Sequence, residues 1–336
     1  MTDQLVLRVP ERLIPVPKSL SLEAGAMVRA ALEYGPVAIP ELPALDDRAG
    51  WRAHVAKADA ALLPMLQAMR PDSEAHVEER MISGVRVFDV TPADLPADDR
   101  TIVLDMHGGG LYLCGGDLCR LMAETVALTL GRRVWSVDYR MPPDHPYPAA
   151  LDDGMTVYRA LLEERSPAEI VFHGASAGGN LAPALILRAR DEGLPLPAAA
   201  VLNTPEIDLT ESGDSFATNN GVDAGLRSLM TVNLLYADGH DLRHPYLSPL
   251  FGDFSKGFPP TVLTTGTRDL FLSNTVLMHR ALRNADIPAE LHVCEGGGHG
   301  GFPRAPEGRG INRDVRRFVA AALREDRRAD AMAEAV

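Results

Sequence analysis

Residues 170–182 read IVFHGASAGGNLA, and this stretch decides the fold of the chain. The apolar run Ile170–His173 predicts a buried strand, and Asn180–Glu192 predicts the helix that leaves it. Between them, Gly174–Gly178 fits the pattern G-x-S-x-G, in which a strand turns into a helix so tightly that the flanking positions must be small. Such a turn exposes the hydroxyl at its apex, so Ser176 is the candidate nucleophile.

A second glycine-rich stretch, HGGG at 107–110, also follows an apolar run. A turn of this kind can offer backbone N–H groups to a developing oxyanion, and we predict Gly108 and Gly109 as donors. The N–H of Ala177, at the start of the predicted helix, would be a third donor. His107 is expected to orient this loop. A nucleophile and an oxyanion hole together predict acyl transfer, most simply ester hydrolysis.

A serine hydroxyl needs a histidine base, and the base needs an acid that orients it. Among ten histidines, His299 lies in the flexible turn GGGHGGF directly after a predicted strand, so it is the predicted base. Asp269, in GTRDLF, also follows a predicted strand and is the predicted acid. Glu206 and Asp208 follow another strand and remain rival acids, and Glu206 is also expected to face the pocket beside the catalytic residues.

Predicted strands and helices alternate along the chain, which indicates an α/β fold with a mainly parallel sheet and helices on both faces. Further predicted strands are His76–Val90 (one strand or a pair), Thr101–Met106, Arg133–Val137, Ala198–Asn203, Thr261–Thr265 and Glu290–Val293. Further predicted helices are Ala49–Arg70, Asp117–Leu130, Ala149–Glu164, Thr275–Ala285 and Asn312–Leu323.

Two regions break this alternation. Residues 1–75 contain short helices interrupted by prolines, and residues 205–250 contain a stretch rich in Ser, Asn and Gly, followed by a helical segment near Leu226–Tyr236. Both would lie over the carboxyl ends of the strands, so we predict that they form one helical cap. The predicted catalytic core is then 76–204 with 251–325, and the predicted C-terminal tail, expected to fray, is 326–336.

Composition narrows the class of protein. The chain has 336 residues, 46% of them hydrophobic, and a formal net charge of −13, which argues against nucleic acid and anionic membrane surfaces as partners. Its three cysteines show no zinc-type pairing, so no metal is expected and a reducing compartment fits. The N-terminal residues lack a secretory pattern and no apolar run is long enough to span a membrane. We expect a cytoplasmic protein.

With these motifs in view, the chain resembles the bacterial hormone-sensitive-lipase-like esterases, the family IV lipolytic enzymes of the α/β-hydrolase superfamily. The resemblance covers about residues 76 to 325 and rests on five strings in the family's order. They are HGGG at 107–110, YRMPPDHPYPAALDD at 139–153, GASAGGNLA at 174–182, GTRDLFLSN at 266–274 and GHGGF at 298–302.

The resemblance implies an α/β-hydrolase fold with a helical cap and no cofactor. It assigns the triad and the oxyanion hole to the matching positions, which are Ser176, Asp269, His299, Gly108, Gly109 and Ala177. It implies small-molecule substrates, usually short-chain acyl esters or lactones, and leaves a homodimer open. We expect a serine carboxylesterase that hydrolyses short- to medium-chain acyl esters.

The chain departs from the family pattern at three points. One is the string TPEIDLT at 204–210, which carries Glu206 where other residues are common. Ala175 stands where relatives commonly have Asp, Thr or Ser, and no proline follows Asp269.

Two other functions stay open: a lactonase or amidase that uses the same triad, and a small-molecule-binding homologue without catalysis.

Overall fold

The computed structural model describes residues 7, 9, 11, 13–34, 41–70 and 73–333, with side chains as far as Leu323. The prediction of a chain start without a secretory pattern falls mostly outside these residues. So do parts of the predicted cap segment 1–75 and the end of the predicted tail.

One eight-stranded sheet forms the centre of the fold. Its strands are β1 (Ala75–Ile82), β2 (Val85–Pro92), β3 (Ile102–Met106), β4 (Arg133–Asp138), β5 (Ile170–Ala175), β6 (Ala199–Asn203), β7 (Thr261–Gly266) and β8 (Ala289–Cys294). They lie in the order β1-β2-β4-β3-β5-β6-β7-β8. Six strands from β4 to β8 run parallel, and β1 and β2 add an antiparallel end. The predicted mainly parallel sheet is confirmed.

The first hairpin settles whether His76–Val90 is one strand or two. β1 and β2 pair along their whole length, and a two-residue turn joins them. Ser83 and Gly84 in this turn both have positive φ, at 48° and 89°. Positive φ at both central residues is the turn geometry that matches the twist of a two-residue hairpin, so the run divides there.

Helices cover both faces of the sheet, as predicted. They are α1 (Leu22–Tyr34), α2 (Arg48–Met69), α3 (Asp117–Leu130), α4 (Ala149–Glu164), α5 (Gly178–Asp191), α6 (Ser215–Thr218), α7 (Met230–Ala237), α8 (Leu272–Asn284) and α9 (Pro306–Ala333). α3 and α9 pack on one face, against a row of strand valines that includes Val103 and Val171. α4, α5 and α8 pack on the other, against Leu104 and Phe172.

The two irregular regions of the sequence contact each other. Trp51 of α2 is fully buried against Val232 and Leu235 of α7, and its indole N–H donates to the carbonyl of Ala44 at 3.0 Å. An indole buries a large apolar area and needs a partner for its single donor, and this packing supplies both. The proposed cap therefore has a contact between its two parts, while the domain boundaries stay a prediction.

The last helix begins earlier than the expected Asn312. Gly308 and Gly310 weaken the helical pattern of the sequence, yet α9 already starts at Pro306. A Cβ on Gly308 would lie 2.0 Å from the carbonyl oxygen of Phe302, so this first turn packs too closely on the preceding loop for any side chain. Among the described residues, no helix combines the length and apolar character needed to cross a membrane.

Candidate active site

The turn between β5 and α5 is closed by backbone contacts. A Cβ on Gly178 would lie 1.7 Å from the carbonyl oxygen of Met106, and one on Gly174 would lie 2.1 Å from that of Gly178. Ser176 has φ at 56°, in the left-handed region that serine rarely adopts, and its N–H donates to the carbonyl of Asn203 at 2.9 Å. Such strain persists only where the surroundings fix it. Here the neighbouring strand and the two glycines do so.

The ring of His299 bridges Ser176 and Asp269. His299 Nε2 lies 2.9 Å from Ser176 Oγ, and Nδ1 lies 3.1 Å from Asp269 Oδ1. Asp269 is fully buried, and its carboxylate also accepts hydrogen bonds from Thr265 Oγ1 and the Phe271 N–H, at 2.8 and 3.0 Å. The structure thus brings the three predicted residues into one hydrogen-bonded row, in the order Ser176, His299 and Asp269.

The pKa of His299 lies above its ordinary value. Burial is the largest single influence and lowers the pKa, while the charge of Asp269, its hydrogen bond and the charge of Asp223 raise it. A neighbouring carboxylate favours the protonated form of an imidazole. The arrangement is therefore suited to holding a proton on His299 during a reaction.

The ring of His107 fixes the direction of a peptide in the glycine loop. Its Nδ1–H donates to the carbonyl of Gly108 at 2.7 Å. The C=O and N–H of one planar peptide point in opposite directions, so this bond turns the N–H of Gly109 away from the His107 ring. Gly109 has φ at 125°, and a Cβ there would lie 2.3 Å from the carbonyl oxygen of Leu113, so the loop needs glycine at this position.

Tyr139, directly after β4, holds His107 in place. The ring of His107 stacks on Tyr139 with centroids 4.0 Å apart, and the Tyr139 hydroxyl donates to the His107 carbonyl at 2.8 Å. Burial lowers the pKa of His107, so the imidazole is neutral and carries its proton at Nδ1. Tyr139 opens the long string at 139–153, which gives that string a physical link to the glycine loop.

The two rival acids, Asp208 and Glu206, lie outside the hydrogen-bonded row of Ser176, His299 and Asp269. Asp208 accepts hydrogen bonds from the hydroxyls of Thr210 and Ser212, both at 2.6 Å, and so closes its own turn. Glu206 is fully buried beside the elbow, where its N–H donates to the carbonyl of Ser176 at 3.1 Å. Neither carboxylate forms a hydrogen bond with the ring of His299 within the described part of the chain.

Glu206 is an unusual group for this position. Neither of its carboxyl oxygens has a partner in hydrogen-bonding geometry among the residues that the structure describes. Burial raises its pKa to about 8, against the opposing influence of Asn233 and His299. Because a buried carboxylate is costly without hydrogen bonds, Glu206 is protonated at neutral pH.

A polar row beneath the site was not predicted. Ser136 and His173 donate to the two oxygens of Asp105 at 2.6 Å each, Asn203 Nδ2 donates to His173 Nε2 at 3.0 Å, and Thr264 donates to Asn203 Oδ1 at 3.0 Å. These side chains come from five neighbouring strands. The sequence offers no local signal for the row, because it exists only once the strand order is known.

A cavity of about 650 Å³ borders this row on the face of the sheet that α3 and α9 cover. Its lining includes Asp105, His173 and Asn203 together with apolar side chains of α2 and α3. Ala175 and Gly108 also line it, so the small second residue of the elbow borders open space. A smaller cavity of about 170 Å³ lies between α1 and the loop of His299.

One group of possible metal ligands lies under the glycine loop. Ligand atoms of His107, Cys119 and Asp138 come within 4.8 Å of one another. Asp138 is already engaged by Arg86 and by the Gly116 N–H, and burial holds the pKa of the Cys119 thiol well above its ordinary value. Metal ligation needs a thiolate, and burial disfavours that form of Cys119.

Comparison with known proteins agrees with this fold. Residues 103–303 match a family described by the α/β-hydrolase fold. An acetyl-hydrolase of Streptomyces hygroscopicus is 34% identical over 222 residues, which cover 63% of this chain and 72% of that protein. An esterase of Acinetobacter venetianus is 30% identical over 225 residues, covering 64% of this chain and 71% of that protein.

Solved structures agree over nearly the whole chain. The crystal structure of esterase E25 has 36% sequence identity and a TM-score of 0.85, and the match covers 94% of this chain and 98% of E25. An esterase from the bacterial hormone-sensitive lipase family has 29% identity and a TM-score of 0.76, with 90% and 99% covered.

The fold and the site define an α/β-hydrolase. Within that superfamily, the chain belongs to the family of bacterial hormone-sensitive-lipase-like esterases. It is a carboxylic ester hydrolase.

Proposed function

We propose that the protein is a serine carboxylesterase that works through a Ser176-His299-Asp269 triad and an acyl-enzyme. The observation that carries the proposal is the position of the His299 ring, with one nitrogen 2.9 Å from Ser176 Oγ and the other 3.1 Å from Asp269 Oδ1. This is the geometry in which an imidazole can take the serine proton while a carboxylate stabilises the resulting charge.

The reaction follows from this geometry. Ser176 Oγ attacks the ester carbonyl carbon as its proton moves to His299 Nε2, and the N–H groups of Gly108, Gly109 and Ala177 hold the oxyanion. Collapse of this intermediate breaks the bond to the alcohol, which leaves with the proton from His299. Water then attacks the acyl carbon and gives one proton to His299. As the bond between the acyl carbon and Ser176 Oγ breaks, His299 returns that proton to Oγ, and the carboxylic acid leaves.

We infer short- to medium-chain acyl esters as substrates. One relative is named an acetyl-hydrolase, and EstE5, a solved structure with 26% identity and a TM-score of 0.76, was soaked with p-nitrophenyl butyrate. The predicted cap, residues 1–75 with 205–250 over a core of 76–204 and 251–325, would set the acyl length. His107 and Glu206 would act beside the substrate site, through the glycine loop and the elbow.

Replacement of the nucleophile tests the mechanism. Ser176→Ala should lower turnover of p-nitrophenyl butyrate by several orders of magnitude, leaving the effects of binding and the oxyanion hole. Ser255→Ala, at an exposed serine of the short 3-10 helix Phe254–Lys256, is the matched control and should keep the parent rate. A Ser176→Ala enzyme as fast as the parent would show that the nucleophile is wrong.

A substrate series separates the remaining activities. The parent is assayed on p-nitrophenyl acetate, butyrate and octanoate, on a lactone and on an anilide. Preference for the lactone or the anilide over every ester would replace the esterase assignment with a lactonase or an amidase. A parent that neither turns over any of them nor reacts with an organophosphate at Ser176 would be a binding protein.

A further inference from the structure

Asp223 is a buried carboxylate that the proposed reaction does not use. It lies between α6 and α7, with 1% of its surface exposed. Four backbone N–H groups donate to it: those of His299 and Leu270 to Oδ2, at 3.0 and 2.9 Å, and those of Gly225 and Leu226 to Oδ1, at 2.8 and 3.2 Å. A carboxylate tolerates burial when hydrogen bonds satisfy it in this way.

One oxygen of Asp223 joins the two loops that carry the base and the acid. The N–H of His299 belongs to the base itself, and the N–H of Leu270 belongs to the residue directly after Asp269. Because both donate to the same Oδ2 atom, the two backbone nitrogens can be no further apart than the sum of two hydrogen-bond lengths. The bond between the His299 ring and Asp269 depends on that separation.

Asp223 belongs to a segment that holds the acid loop at several points. Ser215 Oγ donates to the carbonyl of Leu270 at 2.6 Å, and Asn219 Nδ2 donates to the carbonyl of Asp269 at 2.8 Å. Ser215, Asn219 and Asp223 follow one another at intervals of four residues. Of these three side chains, only Asp223 also bonds the loop of His299 within the described residues.

The charge of Asp223 acts in the same direction as its hydrogen bonds. Its carboxylate lies at the backbone of His299, and it is among the negative groups that raise the pKa of that imidazole. The imidazolium formed during acylation would therefore be stabilised by Asp223 as well as by Asp269.

We propose that Asp223 is a positioning residue of the hydrolytic site, which sets the separation of the His299 and Asp269 loops and stabilises the imidazolium through its charge. This inference rests on the proposed function. It also gives part of the predicted cap segment 205–250 a role in assembling the catalytic residues.

Two substitutions test the role. In Asp223→Asn, one carboxylate oxygen becomes an NH₂ group. Backbone N–H groups donate to both oxygen positions of Asp223, so the new NH₂ group would face another donor in either orientation of the amide. The amide therefore cannot replace the carboxylate. We expect kcat on p-nitrophenyl butyrate to fall about 10- to 100-fold for Asp223→Asn and Asp223→Ala, with a smaller change in KM, because small misplacements of catalytic groups have effects of this size. The acid limb of the kcat/KM profile should also move to lower pH.

Ser215→Ala is the matched control. It removes a bond from the same segment to Leu270 but leaves the contact of Asp223 with His299. We expect it to lower the melting temperature while the acid limb stays where it is in the parent. Asp223 variants that melt normally and keep both kcat and the acid limb would overturn the proposal, as would a Ser215→Ala variant with the same shift of the limb.

A measurement on the parent covers the case in which the Asp223 variants fail to fold. The amide hydrogen of His299, bonded to a buried carboxylate, should exchange slowly with solvent and resonate downfield in NMR spectra. Fast exchange of that amide hydrogen would contradict the proposed positioning of the His299 loop by Asp223. A parent that lacks esterase activity, or whose activity survives Ser176→Ala, would instead refute the proposed function, so the two failures are distinguishable.

Discussion

His107 Nδ1 lies 2.7 Å from the carbonyl oxygen of Gly108, its own neighbour in the chain. The bond ties the direction of the Gly108–Gly109 peptide to a ring that Tyr139 holds by stacking. The side chains of His107 and Tyr139 thus orient the glycine loop, whose own glycines give it little stiffness.

Loss of this ring should disturb the proposed oxyanion hole. His107→Ala is expected to lower kcat by about 10²-fold, because removal of a single oxyanion donor costs 10²- to 10³-fold and here the donor is misdirected. His107→Asn, whose amide can donate to the same carbonyl, should recover part of the rate. Steady-state kinetics on p-nitrophenyl butyrate measure both variants, with His279→Ala on α8 as control. Equal rates for parent and His107→Ala would contradict this role.

The acid of the triad can be identified from pH profiles. His299 acts as a base only when neutral, so activity rises as pH increases through its pKa, which Asp269 raises. Asp269→Asn should lower kcat about 10³- to 10⁴-fold and move the remaining acid limb to lower pH. Asp208→Asn should leave the midpoint of that limb unchanged. The opposite result would make Asp208 the acid.

Glu206 predicts a further pH dependence. Its folded-state pKa is about 8, above the ordinary value of 4.5, so between these values the unfolded chain releases a proton that the folded chain keeps. The free energy of unfolding should therefore fall with rising pH in this window, by at most about 1.4 kcal/mol per pH unit.

Glu206→Gln should remove this dependence. We expect its melting temperature, measured from pH 5 to 8, to change less than that of the parent. Above pH 8 the parent acquires a negative charge beside Ser176, which opposes oxyanion formation, so its kcat/KM should decline there while that of Glu206→Gln does not. Parallel curves for the two proteins would show that Glu206 does not titrate in this range.

The polar row should be important for stability. Asp105 and His173 are 1% and 3% exposed, so Asp105→Ala leaves the buried His173 and Ser136 without their acceptor. We expect a loss of about 3–5 kcal/mol in the free energy of unfolding, measured by urea denaturation. Asp117→Ala, at an exposed aspartate on α3, should change it by less than about 0.5 kcal/mol.

Residues near short motifs could be predicted from the sequence because local chain geometry dictates them. α3 and α4 begin and end at the predicted residues, and the G-x-S-x-G turn needs only its own glycines and the strand before it. The positions proposed for nucleophile, base and acid also came from local turns, each at the end of a strand.

The supporting contacts could not be predicted in this way. Asp105 and His173 are 68 positions apart and meet only because β3 lies next to β5. Asp223 lies in a polar stretch whose one local signal, a bond from its side chain to the N–H of Gly225, predicts a turn rather than contact with distant loops. Such contacts depend on the order of strands and the path of long connections, which hydrophobic periodicity does not specify.

The elbow has consequences for how this enzyme can vary. Backbone oxygens stand 1.7 and 2.1 Å from where a Cβ would be at Gly178 and Gly174, so a mutational library at either position should yield no folded protein. Ala175 instead borders a cavity of about 650 Å³. Among the four residues around Ser176 in this turn, Ala175 is the one at which evolution or selection in the laboratory can introduce a new side chain while the turn itself stays intact.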